Sequence, residues 1–460
     1  MIGRLQKYSG IPIILLIFSL LFYLIFAYSL ERTDFIKLVC LYSALFFFAY
    51  KLLSLYKHDF KFLAGIGLLF RLLFLIAIPN LSQDFYRFIW DGRLLTQGLN
   101  PYLTLPLEWI SQGNAPFAQA EVLYDGMGAL NGSHYTNYPP LSQLCYGIAA
   151  LIADNSILGA VIILRSIIIL ADIGTLYFGK KLLTFLNLPE HHIFFYFLNP
   201  FIIIELTGNL HFEAVMVFFL AWSLYLLAKG QWHWAAGVFG LSISVKLLPL
   251  LLLPLLLQYF IPFYKAQPSR FGKAPKLLLF YTLTITIAFL TFLPFISSEF
   301  LQNFSQTIAL WFQNFEFNAS IYYIIRWFGY QTVGWNIIGT VGKILPVLSV
   351  LGILSLSIFR KNSNFPQLLT AMLFAISLYF LLSTTVHPWY LAIPVFLSIF
   401  TTYRYVLWWS LTVVLSYSAY AETNFSENLA LVALEYLIVI GIFIFEIFQH
   451  KKVKTCHLEN

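Results

Sequence analysis

Long apolar runs alternate with short polar segments along almost the whole chain. The runs at 11–29, 35–56 and 157–178 each have about the twenty residues that a helix needs to cross a bilayer. The pattern predicts an all-α polytopic membrane protein. We expect roughly 12–14 spans or half-spans at this length, in one membrane domain over residues 1–460.

Four segments depart from this pattern. Residues 81–140 form the longest polar region, and residues 296–334 form a second one. The run 233–260 is interrupted by Lys246, which favours two half-helices in a re-entrant hairpin over the alternative of a single span. The apolar stretch 141–153 is short for a span, and we expect it to be re-entrant or interfacial.

Composition and charge agree with a membrane location. Only 10% of the residues are charged and 60% are hydrophobic, whereas soluble domains carry about 25% charged residues. The net charge of +7 lies mostly in short loops, and basic short loops prefer the cytoplasm. This places both termini in the cytoplasm, beginning with Arg4 and Lys7, and places 81–140 and 296–334 on the exoplasmic face of a bacterial inner membrane or its equivalent. The distribution of positive charge therefore predicts the topology of the chain, and it does not predict nucleic-acid binding.

The first dense polar stretch runs from Ser82 to Arg93. At about 3.6 residues per turn, Asp84, Arg87 and Asp91 share one helix face. We expect a short amphipathic helix at the membrane surface that presents carboxylates and guanidinium groups to a cavity. A carboxylate placed there can act as a general base. The alternative, in which the acids only pair with the arginines and fix a loop, is equally consistent with the pattern.

Two further candidates are Lys246 and, separately, the cluster of Asn209, His211 and Glu213 at the outer end of two adjacent spans, which loop polarity alone could also explain. A lysine between apolar half-helices is costly unless it meets an anion or water, and half-helix ends with a lysine can bind a phosphate. The alternative is a side chain that extends to the interface. One histidine next to one acid is weak evidence for a metal, so we expect neither a metal nor a cofactor.

The order of these motifs resembles that of one enzyme family. The segment from Asp84 to Arg93 is followed by Gly98-Leu99-Asn100-Pro101-Tyr102 and by Tyr138-Pro139-Pro140-Leu141. Together they resemble the first outer loop of C-type (GT-C) glycosyltransferases, above all the polyprenol-phosphate-mannose-dependent mannosyltransferases and the GPI mannosyltransferase I group. Later segments similar to the family, in its order, are Leu198-Asn199-Pro200 with 208–213, Val245-Lys246-Leu247-Leu248-Pro249, and His387-Pro388-Trp389-Tyr390-Leu391.

The resemblance implies an integral-membrane inverting glycosyltransferase with a GT-C-like fold. Such an enzyme moves a hexose, above all mannose, from a polyprenyl-phosphate sugar to a hydroxyl of a lipid-linked or envelope glycan on the exoplasmic face. Residues 81–140 would form the exoplasmic catalytic loop with interfacial helices. The partners would be the donor, a glycan or glycolipid acceptor and the lipid bilayer; a partner subunit is left open.

The resemblance and the residue chemistry together define the expected site. Asp84, as general base, and Asp91 are the expected catalytic carboxylates. The cations expected to bind the donor phosphate are Arg87, Arg93 and Lys246. The side chains expected to contact the sugar or acceptor are Tyr86, Tyr102, Tyr138, Asn209, His211, Glu213, His387, Trp389 and Tyr390. Some relatives carry two acids separated by one residue in the first loop, but Tyr86 stands at that spacing after Asp84, which again favours a site without metal.

Two other classes of function stay open at this level. A transporter or flippase of lipid-linked glycans also needs many spans and buried charges. Such proteins often have two related halves, whereas no halves or fixed-period repeats are visible in the chain. A non-catalytic scaffold is the third possibility, and it would not require residue 84 to be an acid.

Overall fold

The fold is that of a computed structural model, which describes residues 10–262, 270–422 and 425–456, without the side chains of 270–273 and 451–456. The topology predictions that rest on Arg4 and Lys7 lie outside these residues. Within the described ranges the chain is helical and forms no β-strand; one isolated parallel bridge joins Phe317 and Thr385. The prediction of an all-α polytopic protein is confirmed.

The helices of the first half of the chain lead from two long spans into the polar region and back. They are α1 Ile11–Tyr28, α2 Phe35–Tyr56, α3 Phe60–Leu72, α4 Asp84–Thr96, α5 Pro106–Ser111, α6 Ala120–Gly132, α7 Pro140–Ala153 and α8 Ile157–Phe185. A broken segment follows, with a 3₁₀ turn Glu190–Ile193, α9 Phe194–Phe197 and a π-helix Ile202–Gly208.

The second half of the chain contains further broken elements. It comprises α10 Glu213–Ala228, α11 Trp232–Val245, a 3₁₀ helix Leu248–Leu256, α12 Leu257–Phe260, α13 Arg270–Phe292, a 3₁₀ turn Leu293–Phe295, α14 Ser298–Gln313 and α15 Ile321–Thr332. It ends with α16 Ile338–Ile358, α17 Phe365–Leu381, a 3₁₀ turn Pro388–Leu391, α18 Ala392–Ser398, α19 Tyr405–Thr412, a 3₁₀ helix Val413–Tyr420 and α20 Leu429–Cys456.

Six helices in the described residues are long and apolar enough to cross a membrane. They are Ile11–Tyr28, Phe35–Tyr56, Ile157–Phe185, Ala274–Phe295, Ile338–Ile358 and Leu429–His450. A seventh span results if Ile202–Gly208 and Glu213–Ala228, which meet at 112°, are taken together. The number expected from hydropathy is higher because several apolar runs form short or broken helices. The apolar run 192–206, for example, is divided into 3₁₀, α and π turns.

The interruption at Lys246 forms a hairpin. Helix α11 ends immediately before Lys246, whose backbone is extended with φ −149° and ψ 141°. Phe239 on the first leg and Phe260 on the second both contact Phe280 of α13, with ring centroids 6.3 and 5.6 Å apart. Since both legs reach the same level of α13, the chain turns back at Lys246. The structure therefore contains the hairpin rather than a single span.

A buried ion pair joins α3 to α8. Arg71 Nε lies 2.7 Å from a carboxylate oxygen of Asp172, and both side chains are fully buried. Arg71 also donates to the carbonyl of Phe197 at 2.7 Å, and the Tyr196 hydroxyl donates to Asp172 at 3.2 Å. Removing either partner of such a pair leaves an uncompensated buried charge. The pair therefore fixes α3 and α8 against the segment around α9.

Arg165 binds four backbone carbonyls from two separate segments. Its Nε and Nη2 donate to Thr207 and Gly208, each at 2.9 Å, and its Nη1 donates to Leu75 at 3.0 Å and Ala77 at 2.6 Å. One pair of carbonyls precedes the polar stretch that opens α4, and the other ends the π-helix. Arg165 thus holds together the chain segments that lead into the two candidate centres.

Replacing Arg165 by methionine should destabilise the protein. The change leaves buried carbonyls without donors, at roughly 1–3 kcal/mol each, so we expect the melting temperature in detergent to fall by at least about 5 °C. Ser166→Ala is the matched control, because the Ser166 hydroxyl bonds only within its own helix, to Ile162 at 2.7 Å. If the Arg165→Met protein had the same melting temperature as the control, this role of Arg165 would be refuted.

Candidate active site

Asp84 is the first residue of α4, and its side chain is partly exposed. Its Oδ1 accepts a hydrogen bond from Asn131 Nδ2 at 3.4 Å. Burial raises the pKa of Asp84 above its ordinary value, and the positive charges of Lys246 and Arg32 and the bond from Asn131 oppose that rise. The carboxylate therefore has oxygen capacity left for a further proton donor.

Lys246 lies at the hairpin tip and pairs with Glu213 across the start of α10. The Nζ atom is 3.1 Å from a Glu213 carboxylate oxygen, and the lysine side chain is 23% exposed while the glutamate is 3% exposed. The same Nζ lies 5.0 Å from the ring centroid of Tyr138. One face of the ammonium is therefore neutralised, and the rest is open to the adjacent cavity.

Lys246 is one of the residues that line an apolar cavity of about 410 Å³. Tyr138, Glu213 and Tyr390 line it near the lysine. Its other walls are mostly apolar side chains of the second hairpin leg and of α14, α16 and α17, among them Leu251, Phe312, Val350 and Phe380. The volume lies within the range of small-molecule pockets, about 300–1,000 Å³. A mostly apolar lining that includes one cation suits an amphiphile with an anionic head group.

Three rings form a stack next to this centre. The indole of Trp389 stacks with His211, at 3.7 Å between centroids and 15° between planes, and with His387, at 4.6 Å and 4°. Burial, with the charges of Arg32 and Lys246, lowers the pKa of His387 to about 3. Trp389 is only 8% exposed. The stack places all three residues beside the site, while their expected contact with a sugar stays a prediction.

Arg87 and Asp91 are brought together away from the cavity. Arg87 Nε lies 2.8 Å from Asp91 Oδ1, and the second carboxylate oxygen accepts from Gln143 Nε2 at 2.9 Å. Arg87 Nη1 donates to the carbonyls of Asn131 at 2.6 Å and His134 at 3.0 Å. These bonds tie α4 to the end of α6 and to α7, and so hold Asn131 next to the start of α4.

Arg93 and Tyr102 also bind protein groups. Arg93 donates to the carbonyls of Ala118 at 2.8 Å and Asn155 at 2.9 Å and is 3% exposed. The Tyr102 hydroxyl, buried completely, donates to the backbone carbonyl of Tyr138 at 2.6 Å. Both side chains thereby fix the polar region around the site.

Asn209 and Tyr86 complete the set expected from the sequence. Asn209 accepts from the backbone N–H of Leu81 at 3.3 Å and donates to Glu205 at 3.4 Å, so it joins the two chain segments of the site. Tyr86 is partly exposed and packs on Phe85, with ring centroids 4.0 Å apart. It lies on α4 outside the residues that line the cavity.

Sequence reasoning missed Arg32, in the turn between α1 and α2. Its guanidinium carbon lies 3.2 Å from the ring centroid of Tyr420, and its charge acts on Asp84 and His387. A signal was present, because the turn lies on the predicted exoplasmic face, where the positive-inside rule disfavours arginine. In the described part of the chain, no group of three or more His, Cys, Asp or Glu side chains is placed to hold a metal ion.

Residues 31–261 match the profile of the family described as alpha-(1→6)-mannopyranosyltransferase, N-terminal domain. The chain belongs to this family. The match confirms the resemblance to GT-C mannosyltransferases. It includes Arg32, Asp84, Glu213 and Lys246 and ends before the His387 segment.

Three curated relatives carry related names. The chain is 28% identical to alpha-(1→6)-mannopyranosyltransferase A of Corynebacterium glutamicum over 206 residues, which are 42% of this chain and 38% of that protein. It is 24% identical to the B protein of the same organism over 172 residues, 36% of this chain and 27% of the relative. It is also 24% identical to the A protein of Mycobacterium tuberculosis over 174 residues, 37% and 31% of the two chains. The matches thus span less than two-fifths of each relative.

A close approach of α4 to α7 gives a prediction for Gly92. A Cβ atom there would lie 2.3 Å from the carbonyl oxygen of Tyr146, so Gly92→Ala must push the helices apart. We expect a loss of about 1–3 kcal/mol, measured as a lower melting temperature in detergent. Gly237→Ala is the control, since nothing lies within 4 Å of its Cβ position. Equal stability of the two variants would contradict the packing.

Proposed function

We propose that the protein is an inverting mannosyltransferase. It transfers mannose from a polyprenyl-phosphate donor to a hydroxyl of a glycan or glycolipid acceptor, on the exoplasmic face of the membrane. The observation that carries the proposal is the apolar cavity lined by Lys246, whose positive charge also acts on Asp84. Membership of the family and the printed names of the relatives support mannose as the sugar and α-(1→6) as the first linkage to test.

The cavity suits the donor because each part of the donor has a counterpart. Its apolar walls can take isoprene units of the tail. Lys246 keeps part of its ammonium open, although one face pairs with Glu213, and it can bind a phosphate oxygen. Tyr138 and Tyr390 line the same cavity and are therefore our candidates for contact with the mannose.

Asp84 acts as the general base in this proposal. An acceptor hydroxyl gives its proton to the Asp84 carboxylate while its oxygen bonds to the anomeric carbon of the mannose. The bond between that carbon and the phosphate oxygen breaks, and the lipid leaves as a polyprenyl monophosphate. Attack from the face opposite the leaving phosphate inverts the anomeric centre.

Asp91, Arg87 and Arg93 receive a positioning role in this proposal. Both carboxylate oxygens of Asp91 accept hydrogen bonds within the protein, so the acid has little capacity to take a proton from an acceptor. The guanidinium groups of Arg87 and Arg93 bind backbone carbonyls. We therefore infer that these residues hold α4 and the polar region rather than the donor phosphate.

Asp84→Asn should reduce mannose transfer by about 10²- to 10⁴-fold, the usual contribution of a general base. The assay uses purified protein in detergent, polyprenyl-phosphate mannose labelled in the sugar, and a membrane-lipid extract as the acceptor source. Asp125→Asn is the matched control, since Asp125 is an exposed acid of the same polar region. Normal turnover by Asp84→Asn would refute the base assignment. Transfer by the wild type from a nucleotide sugar but not from the lipid-linked sugar would refute the donor class.

Lys246→Gln should change both donor use and pH dependence. The charge of Lys246 lowers the pKa of Asp84, so its removal raises that pKa. The base is then protonated at a higher pH, and the acid limb of the profile of kcat/KM against pH shifts upward, while the KM for the donor increases. Lys229→Gln, which changes an exposed lysine at the far end of α10, should leave both unchanged. An unchanged acid limb and donor KM in Lys246→Gln would remove this lysine from the site.

A further inference from the structure

Arg32 differs from the other arginines that contact the helical core. Among the described residues it forms no ion pair, and its buried Nε has no hydrogen-bond partner. Its observed contact is the ring of Tyr420, 3.2 Å from the guanidinium carbon. Leaving a buried donor unsatisfied costs about 1–3 kcal/mol. Arg71, Arg87 and Arg93 each also have one buried nitrogen without a partner, but their other nitrogens are bonded. Arg32 has no bonded nitrogen among the described residues, so its guanidinium is available to a ligand.

The other arginines that contact the helical core form ion pairs or donate hydrogen bonds to backbone carbonyls. Arg71 pairs with Asp172, and Arg326 pairs with Glu316. The arginines that bind backbone carbonyls are Arg87, Arg93 and Arg165. Each of these side chains therefore has a structural explanation among the described residues. Arg32 has only an aromatic contact, which leaves the donor groups of its guanidinium for another molecule.

Arg32 and Lys246 flank the same patch of the site. The charges of both side chains act on Asp84, His211 and His387. Ring contacts lead from the Arg32 side into the aromatic stack, since Phe317 lies 6.0 Å from Tyr420 and 5.0 Å from His387 between centroids. Both cations therefore act on the region around the proposed base.

The two cations are not equally available to an anion. Lys246 is paired with Glu213 at 3.1 Å, so part of its charge is already neutralised. Arg32 has no paired carboxylate in the described part of the chain. A guanidinium can also donate two parallel hydrogen bonds to a phosphate, whereas an ammonium attracts the phosphate as a point charge. Arg32 is thus the better placed of the two to accept additional negative charge.

We propose that Arg32 binds the phosphate of the lipid-linked donor together with Lys246 and stabilises the polyprenyl monophosphate as it leaves. This inference rests on the proposed function. The donor phosphodiester carries one negative charge. When its bond to the anomeric carbon breaks, the phosphate oxygen keeps the electron pair and the monophosphate gains a second charge, while the acceptor proton passes to Asp84. A cation that meets this second charge lowers the barrier to transfer.

The test measures binding of the product lipid without turnover. Purified full-length protein in detergent is titrated with a polyprenyl monophosphate and, in parallel, with the polyprenol of the same length, which lacks the phosphate. We expect the wild type to bind the monophosphate more tightly. Arg32→Ala should reduce that preference by about 10- to 100-fold, and Arg32→Lys should restore part of it, since it keeps the charge but not the paired donors.

Lys37→Ala is the matched control, because Lys37 follows the same turn and pairs with Asp34 at 3.6 Å. It should keep the preference of the wild type. If Arg32→Ala lowers the melting temperature, Arg32→Gln takes its place in the binding test. In the transfer assay, loss of Arg32 should lower kcat more than it raises the donor KM, because the second charge develops only as the bond breaks.

The outcomes separate this inference from the proposed function. If Arg32→Ala and Arg32→Gln keep the preference for the monophosphate while Lys246→Gln loses it, the role of Arg32 is refuted and the proposed function stands. If the wild type binds the alcohol as tightly as the monophosphate, the lipid-phosphate donor is refuted, and the role of Arg32 with it.

Discussion

The site depends on the hydrogen bonds that the guanidinium of Arg165 donates to backbone carbonyls. It gathers carbonyls at 75–77 and at 207–208 around one side chain. The first segment leads into Asp84, and the second leads into His211 and Glu213. Carbonyls in a membrane interior have no water to bind, so a packing without Arg165 would leave these carbonyls without donors. Residues that are more than a hundred positions apart in the chain are thereby placed beside each other.

The charges of the protein fall into two groups with different surroundings. Ion pairs such as Arg71–Asp172 and Arg87–Asp91 are buried and balanced, as the cost of burying a net charge requires. Lys246 instead lines the apolar cavity, and Arg32, which stacks on Tyr420, forms no ion pair among the described residues. A site that leaves cations accessible next to apolar walls favours an amphiphilic anion. The electrostatics and the shape of the cavity therefore point to the same class of ligand.

Hydropathy was enough to predict the helical membrane fold, and the order of short motifs was enough to predict the family. The pairing of Arg87 with Asp91 follows from their i, i+4 spacing, whereas the bond from Gln143 to Asp91 joins residues 52 positions apart and depends on tertiary packing. Asp84 and Arg87 have equally favourable spacing, yet they form no ion pair in the described structure. The position of Arg32 on the predicted exoplasmic face was a signal in the sequence, but its contact with Tyr420 depends on tertiary packing, because Tyr420 lies near the other end of the chain.

The broken helices explain both the overestimated span count and the position of the site. Asp84 begins a short helix, Glu213 follows a 112° bend, and Lys246 lies at a hairpin tip. Unwound backbone at membrane depth is tolerated only where it is buried in protein or lines a cavity. Two of these interruptions, at Glu213 and Lys246, line the same cavity. The convergence of these interruptions on Asp84 is thus an argument for the site that is independent of the motifs and of the relatives.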